Sequence, residues 1–231
     1  MNDEQTSYYG KLPKEYGFAS RCRMCIPIDV TGLRVLDVDC RRGKGVVKFA
    51  ELVGPAGMVM GVDPSSEWID EARLYGAQAL GEDAKATYGS LQFSVACAEN
   101  LAEAGIGDAS FDVVYVNSSL NLDMSPFAAI DEFARVLTPG GTLLFDGVVA
   151  EGPRNSDVVR AACALGNSVQ AAFNRPDLER ILHQAGFAEV SYCMEEAVSP
   201  EAAVDDDVQA AVAKTDEGVT FTKLVVLARK S

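Results

Sequence analysis

Along the first two thirds of the chain, apolar positions switch repeatedly between short continuous runs and a helical spacing. Residues 33–38 (LRVLDV) form an apolar run of strand length. A Gly-containing turn follows, and 46–53 then carry apolar side chains at helical intervals until Gly54-Pro55 stops them. Residues 58–62 (MVMGV) repeat the strand signal and end at Asp63, after which Ser65 or Ser66 can cap a helix bearing Trp68, Ile69, Ala72 and Leu74. Residues 91–96 predict a third strand and 111–117 (FDVVYVN) a fourth, whose nearly unbroken apolar character suits a strand covered on both faces. Pro126 opens a helix through Val136, LTPGG at 137–141 stops it and turns the chain, and 142–149 predict a fifth strand.

Beyond Glu151 the pattern changes. Helices over 156–172 and 176–185 flank a break at Phe173-Asn174-Arg175, followed by a strand at 189–194, an acidic helix at 200–214 and a last strand at 220–228. Five β–α steps predict a parallel sheet, and the last two strands an antiparallel edge. The expected architecture is therefore α/β: a Rossmann-like, doubly wound, mostly parallel seven-stranded sheet with an antiparallel edge strand. Such a sheet places ligands at the carboxyl ends of strands one, two and four, beside the point where strand order reverses. A single domain over 1–231 is expected, with 1–30 as a lid or cap, 31–150 as the ligand-binding core and 151–231 as substrate-side helices and final strands.

Charge narrows the partners. With Lys+Arg 20 against Asp+Glu 34, the net charge of -14 repels phosphate backbones and anionic membrane surfaces, so a small-molecule substrate is expected rather than nucleic acid or membrane. No apolar stretch is long enough to span a bilayer and the N-terminal residues lack a secretory pattern, so a cytoplasmic monomer or homodimer is expected. The six cysteines (Cys22, Cys25, Cys40, Cys97, Cys163, Cys193) are scattered through apparent core elements, which favours reduced, buried thiols. The C-x-x-C at Cys22 and Cys25 has no second pair, and the only histidine, His183, lies far away on a helix and reads as structural or surface; no metal site is expected.

A nucleotide-type ligand in this kind of sheet needs a turn after strand one that lets it approach the backbone, and an acidic side chain after strand two that accepts from ribose hydroxyls. Asp63 supplies the second feature, or serves as a cap for the helix that follows. No G-x-G-x-x-G follows strand one, which disfavours a nicotinamide dehydrogenase.

Taken in order, VLDVDCRRGKG, GVDPSSEWIDEA, FDVVYVNSSLNL and FARVLTPGGTLLF resemble the successive motifs of class I S-adenosylmethionine-dependent methyltransferases, over roughly residues 33 to 150. The resemblance implies S-adenosyl-L-methionine as cofactor, held by Asp37, Asp39, Cys40, Arg41, Gly43, Asp63, Pro64, Ala98, Glu99 and Asn117. It implies Asn117 and Ser118 as residues lining the reacting centre, with Asn121, Tyr8 and Tyr9 at the rim. The family's first motif runs acidic residue, apolar residue, Gly-x-Gly-x-Gly; here Asp39 and Arg41 replace the first two glycines. Asp tolerates the left-handed backbone better than most residues. Arg41 either folds into the cavity and blocks it, lies along its edge and pairs with the carboxylate of the cofactor's methionine part, or pairs with Asp39. Cys97 stands where many relatives place an Asp against the adenine amino group, and a thiol is a weak acceptor.

The second half, NLAEAGIGDASFDVVYVNSSLNL followed by LGNSVQAAFNRPDLERILHQAGF, resembles the arsenite methyltransferases and the ubiquinone-biosynthesis type (methyltransferase type 11). Those arsenite enzymes hold trivalent arsenic with cysteine thiolates, one after strand four and one before an LGG-like segment. This chain has Ser118 at the first position and Ala164 at the second, with Cys163 beside it. A hydroxyl does not replace a soft thiolate for a thiophilic centre.

Overall fold

The computed structural model describes residues 1–12, 24–81, 87–200 and 216–231. Cys22 and residues 201–214 of the predicted acidic helix lie outside them. A short helix, α1 (Asp3–Tyr9), opens the chain, capped by reciprocal bonds between Asn2 and Gln5. It falls in the segment expected to form a lid, whose own pattern gave no element.

The alternating units follow: β1 (Arg34–Val38), α2 (Lys44–Val53), β2 (Met58–Asp63), α3 (Ser66–Leu80), β3 (Ser90–Val95), β4 (Phe111–Asn117), α4 (Pro126–Val136) and β5 (Leu137–Glu151). The chain then runs through α5 (Ser156–Ala164), α6 (Arg175–Gln184), β6 (Phe187–Val198) and β7 (Thr220–Lys230). Seven strands form one sheet in the order β3-β2-β1-β4-β5-β7-β6. β1 to β5 pair in parallel; β7 runs antiparallel to both β5 and β6, and so supplies the antiparallel element expected at this edge. Strand order reverses at β1, with β2 on one side and β4 on the other, so a crevice opens above their carboxyl ends.

Strand periodicity divides the buried side chains between two faces. Val35, Val59, Val113 and Tyr115 pack with Val46, Phe49 and Ala50 of α2 on one side. Leu36, Val38, Val114 and Val116 pack with Ile130 and Phe133 of α4 and with Leu178 and Leu182 of α6 on the other. This two-sided burial is why β1 and β4 are nearly continuous in apolar residues.

Three predicted boundaries move. The LTPGG segment does end α4 but is drawn into β5, where the register slips between the Phe111–Leu137 and Val113–Thr142 pairs and Gly140 takes φ 75°. The bulge absorbs the turn without breaking the strand. The helix predicted over 156–172 ends at Ala164, because Gly166 enters the left-handed region at φ 66°. β6 runs to Val198, well past the predicted 194, since β7 offers a paired partner as far as Phe221. Among the described residues, no helix is long and apolar enough to cross a membrane.

Phe49 is fully buried with its ring 5.0 Å from Tyr115 in an edge-on contact, joining α2 to the centre of the sheet. Phe49→Ala is expected to cost about 3–5 kcal/mol in urea unfolding, as large-to-small changes in close-packed cores do. A loss below about 1 kcal/mol would show that α2 repacks freely against the sheet.

Candidate functional site

The loop between β1 and α2 carries the structure's densest run of left-handed residues: Asp39 at φ 54°, Arg41 at φ 49° and Gly43 at φ 77°. These are the three alternate positions at which glycines are expected, so the backbone keeps the glycine-type path although two side chains have been added. Left-handed geometry costs a non-glycine residue about 1 kcal/mol or more. The path is held from outside. The Arg41 N–H donates to Asp63 Oδ2 at 2.9 Å, and the Cys40 N–H donates to the Val62 carbonyl at 3.0 Å. Gly43 must stay glycine for a second reason, since a Cβ there would come within 2.9 Å of the Ala72 Cβ on α3.

A narrow cleft lies above the loop. Tyr9, Leu12, Asp39, Arg41, Asp63, Pro64, Trp68, Asn117, Ser119, Leu122 and Asp123 line it. It continues outward between α1 and the start of α3, past Thr6, Gly10, Ser65 and Glu67. Asp63 anchors one end: Oδ2 takes the Arg41 N–H and Oδ1 takes the Ser65 N–H at 2.8 Å. It therefore both braces the loop and stabilises the entry to α3, while Ser65 caps that helix through its own hydroxyl. The Arg41 guanidinium lies 4.9 Å from the centre of the Trp68 ring, a cation–π contact on the cleft wall.

Several expected ligand residues have other placements. Asp37 does not line the cleft. Its carboxyl is buried beneath the first turn of α2, where a Cβ on Gly45 would strike Oδ2, and burial, then Asp39 and Asp63, push it well above the usual carboxylate range. The Cys40 side chain packs in the core, on the α2 face of the sheet with its sulfur beside Gly61. Gly43 and Ala98 likewise serve packing, Ala98 being fully buried in the opposite core layer. Cys97 is fully buried, and burial raises its thiol to about 12, which keeps it a neutral space-filler. Ser118 turns away from the cleft. At φ 60° it donates its N–H to the Asp146 carbonyl at 2.7 Å and is almost wholly buried, so of the two residues expected at the reacting centre only Asn117 faces the cleft.

Glu99 acts at one remove. Its Oε1 accepts from the Tyr9 hydroxyl at 2.7 Å and from the Ser125 N–H at 3.0 Å, so it holds the lid instead of lining the cleft. Tyr8 adds a second tie, donating to the Leu122 carbonyl at 2.9 Å. Asn121 is no rim residue: its Nδ2 donates to the carbonyls of Val148 and Ser168, which pins the segment after β4 to β5. His183 bonds the Phe187 carbonyl at 2.8 Å and joins α6 to β6, which is the structural one of the two readings open to it.

Sequence reasoning missed Leu12, Ser119, Leu122 and Asp123 as cleft residues, and read Trp68 only as a helix position. The signal for the first set was weak. Asp123 ends an apolar stretch (LNLD) just past β4 and reads as turn chemistry, yet it is buried and faces the cleft.

The cleft concentrates acids. Burial first, then Asp63, raises Asp39 to about 7; burial raises Asp63 to about 6 against two backbone N–H bonds and Arg41, which oppose it. Asp123 is raised well above the usual range, again by burial first and Asp39 next. A carboxyl whose pKa is higher in the folded chain than in the unfolded one holds more protons when folded, so its stabilising effect is present at low pH and lost as pH rises through the folded value. The ligand-free protein is accordingly expected to lose stability from about pH 4 to about pH 7, and Asp39→Asn to flatten that slope; thermal unfolding across this range measures both. A melting temperature that rises steadily over the interval would show that these carboxylates are ionised in the folded state.

Comparison with known proteins agrees with this geometry. Residues 29–202 match the family model described as a methyltransferase domain. The chain is 28% identical over 181 residues to an arsenite methyltransferase of Aquipseudomonas alcaligenes, a match covering 77% of this chain and 51% of the relative. It is 31% identical over 159 residues to an arsenite methyltransferase of Halobacterium salinarum, covering 69% and 38%. The chain thus spans about half or less of the length of these relatives. Among solved structures, an arsenic(III) S-adenosylmethionine methyltransferase from Chlamydomonas reinhardtii superposes with a TM-score of 0.75 at 25% identity, over 96% of this chain and 71% of that one. With the match extending across most of its length, this chain belongs to the methyltransferase domain family, on the class I α/β fold.

Proposed function

We propose that the chain is an S-adenosylmethionine-dependent methyltransferase that acts on a small-molecule acceptor, with its cofactor in the cleft between Asp63 and Asp123. The observation that carries this reading is the loop through Asp39, Arg41 and Gly43, which keeps the glycine-type backbone path despite two substitutions and is tied to Asp63 at the end of β2.

The residues present fit such a cofactor. Each Asp63 oxygen accepts one backbone N–H and keeps a further lone pair, enough to take ribose hydroxyls at the cleft wall. Pro64 and Trp68 form an apolar wall suited to a base, and the Arg41 guanidinium beside Trp68 is placed for a carboxylate. Asp39 Oδ2 is buried without a hydrogen-bond partner among the described residues, as expected of an acceptor that waits for a ligand donor. When bound, the cofactor supplies an electrophilic methyl group on a sulfonium.

Methyl transfer to a competent nucleophile depends chiefly on alignment and on exclusion of water. Asn117 faces the cleft at the end of β4 and is the residue that positions the reacting groups, while α1, tied down through Tyr8 and Tyr9, covers the site. The two thiolate positions implied by the arsenite enzymes are occupied differently. Ser118 is buried behind the cleft, Ala164 ends α5, and the neighbouring Cys163 sulfur contacts the Asn121 carbonyl at 3.5 Å. The acceptor is therefore not gripped by a thiolate pair at these positions.

A second reading, a binding protein without turnover, is favoured by one observation: Arg41 sits in the cleft wall where a glycine leaves open space. Calorimetric titration separates the two. S-adenosylmethionine is expected to bind wild type, and Asp63→Asn to weaken it by roughly tenfold or more through loss of charged acceptors. Arg41→Gly is expected to weaken binding severalfold by removing the carboxylate partner; tighter binding would favour the second reading, in which Arg41 closes the cleft. No binding at millimolar cofactor would sink the proposal.

A further inference from the structure

The loop after β3 reaches the lid through Glu99, and the loop itself is held by α4. Beyond β3 the chain makes a one-turn helix at Leu101–Ala104, and Asn100 in front of it makes no side-chain cap. Glu132 on α4 supplies the missing acceptor: its Oε2 takes the Leu101 N–H at 2.8 Å and the Ala102 N–H at 3.3 Å. Arg135 grips that carboxylate in turn, with Nε on Oε1 at 2.6 Å and Nη2 on Oε2 at 2.8 Å. Its Nη1 donates to the Ile106 carbonyl at 3.1 Å and to Asp108 at 2.8 Å, and its own carbonyl receives the Ala109 N–H at 3.0 Å. Residues 101–109 are thereby stitched to α4 by a pair of side chains largely shielded from solvent.

We propose that Glu132 is a positioning residue for the cleft: by fixing the turn at Leu101–Ala104 it sets where the Glu99 carboxylate stands, and through Glu99 and Tyr9 it seats α1 against the site. This deepens the reading of the cleft as a cofactor site and rests on it. Glu132 does not line the cleft. Its effect is relayed along the chain, because Glu99 stands only two residues before Leu101.

The stretch that carries Glu99 is short and anchored at both ends. On the strand side the Ala96 N–H donates to the Asp63 carbonyl at 3.1 Å; on the other side Glu132 holds Leu101. With both anchors in place, Glu99 Oε1 meets the Tyr9 hydroxyl at 2.7 Å and the Ser125 N–H at 3.0 Å. A hydrogen bond of this length is lost when its partners separate by about 1 Å, so a turn released from Glu132 carries Glu99 away from Tyr9. Thr6, Tyr9 and Gly10 form one wall of the outer cleft, and the seating of α1 therefore decides how far that wall stands from Pro64 and Trp68.

A double-mutant cycle tests the relay, read by hydrogen exchange of the α1 amides in ligand-free protein and by calorimetric titration of S-adenosylhomocysteine. Tyr9→Phe removes the tie itself and is expected to speed exchange at Thr6, Gly10 and Lys11, whose N–H groups bond within this helix and its end, by roughly three- to tenfold. Glu132→Ala is expected to match it, and the double variant to exchange no faster than Tyr9→Phe alone, since both changes remove one contact. Glu132→Asp keeps the charge beside Arg135 but stops a methylene short of the turn; it is expected to behave alike and stands in for Glu132→Ala should that variant fail to fold. Asp112→Ala breaks the Arg34–Asp112 pair at the amino ends of β1 and β4, and is expected to leave α1 exchange unchanged. S-adenosylhomocysteine is expected to bind Glu132→Ala roughly three- to tenfold more weakly than wild type, and to bind Tyr9→Phe and the double variant equally. Exchange rates that multiply in the double variant, equal acceleration by Asp112→Ala, or an affinity that Glu132→Ala leaves unchanged overturns the positioning role. Wild-type protein that binds no S-adenosylhomocysteine at millimolar concentration overturns the cofactor reading instead, and the exchange cycle alone then decides whether Glu132 seats α1.

Discussion

The hydrogen bond from the Arg41 backbone N–H to Asp63 joins the ends of two neighbouring parallel strands, and the shape of the cleft depends on it. A loop with alternate left-handed residues is a costly conformation when two of the three are not glycine. It persists because a buried carboxylate from the next strand receives one of its amides and the start of α3 supplies a second donor to the same group. The acid that braces the loop also forms the wall of the cleft. Fold and site are thus held by one side chain, and burial without a full charge partner leaves Asp63 raised to about 6.

A second layer of order comes from the chain's first helix. Tyr8 and Tyr9 reach the segment after β4 and the Glu99 carboxylate after β3, so α1 is fastened to two loops that border the cleft. Glu99 also receives the Ser125 N–H at the entry to α4. The lid, the loop after β3 and the α4 start therefore share one acceptor. This arrangement fastens α1 beside the cleft through polar contacts.

The relatives named arsenite methyltransferases match most of this chain in sequence, and the arsenic(III) enzyme from Chlamydomonas reinhardtii shares its fold. Ser118 is turned toward Asp146 of β5 by its left-handed backbone, and Cys163 is directed at a backbone carbonyl within a small apolar cluster of Leu122, Ala162 and Ala171. Cys40 and Cys97 are buried space-fillers. Among the described residues, the cleft lining carries the carboxyls of Asp39, Asp63 and Asp123, the hydroxyls of Tyr9 and Ser119, the Asn117 amide and the Arg41 guanidinium.

The sequence alone determined the α/β fold, since strand and helix periods repeat clearly wherever a strand is covered on both faces, as in β1 and β4. It also located the ligand end of the sheet and singled out Asp63, Asp39 and Arg41, because a chain that departs from glycine in a tight turn advertises the departure. It could not assign directions. That Cys40 and Ser118 point into the core while Asn117 faces the cleft follows from alternation along a strand and from local φ values that only the assembled sheet imposes. Asp123 was the least legible: an acid after an apolar stretch looks like a turn residue until the β4 end is folded over against Asp39. The role of α1 was hidden for the same reason. Its contacts join residues about a hundred positions apart, and such pairs have no local pattern to betray them; only tertiary packing decides them.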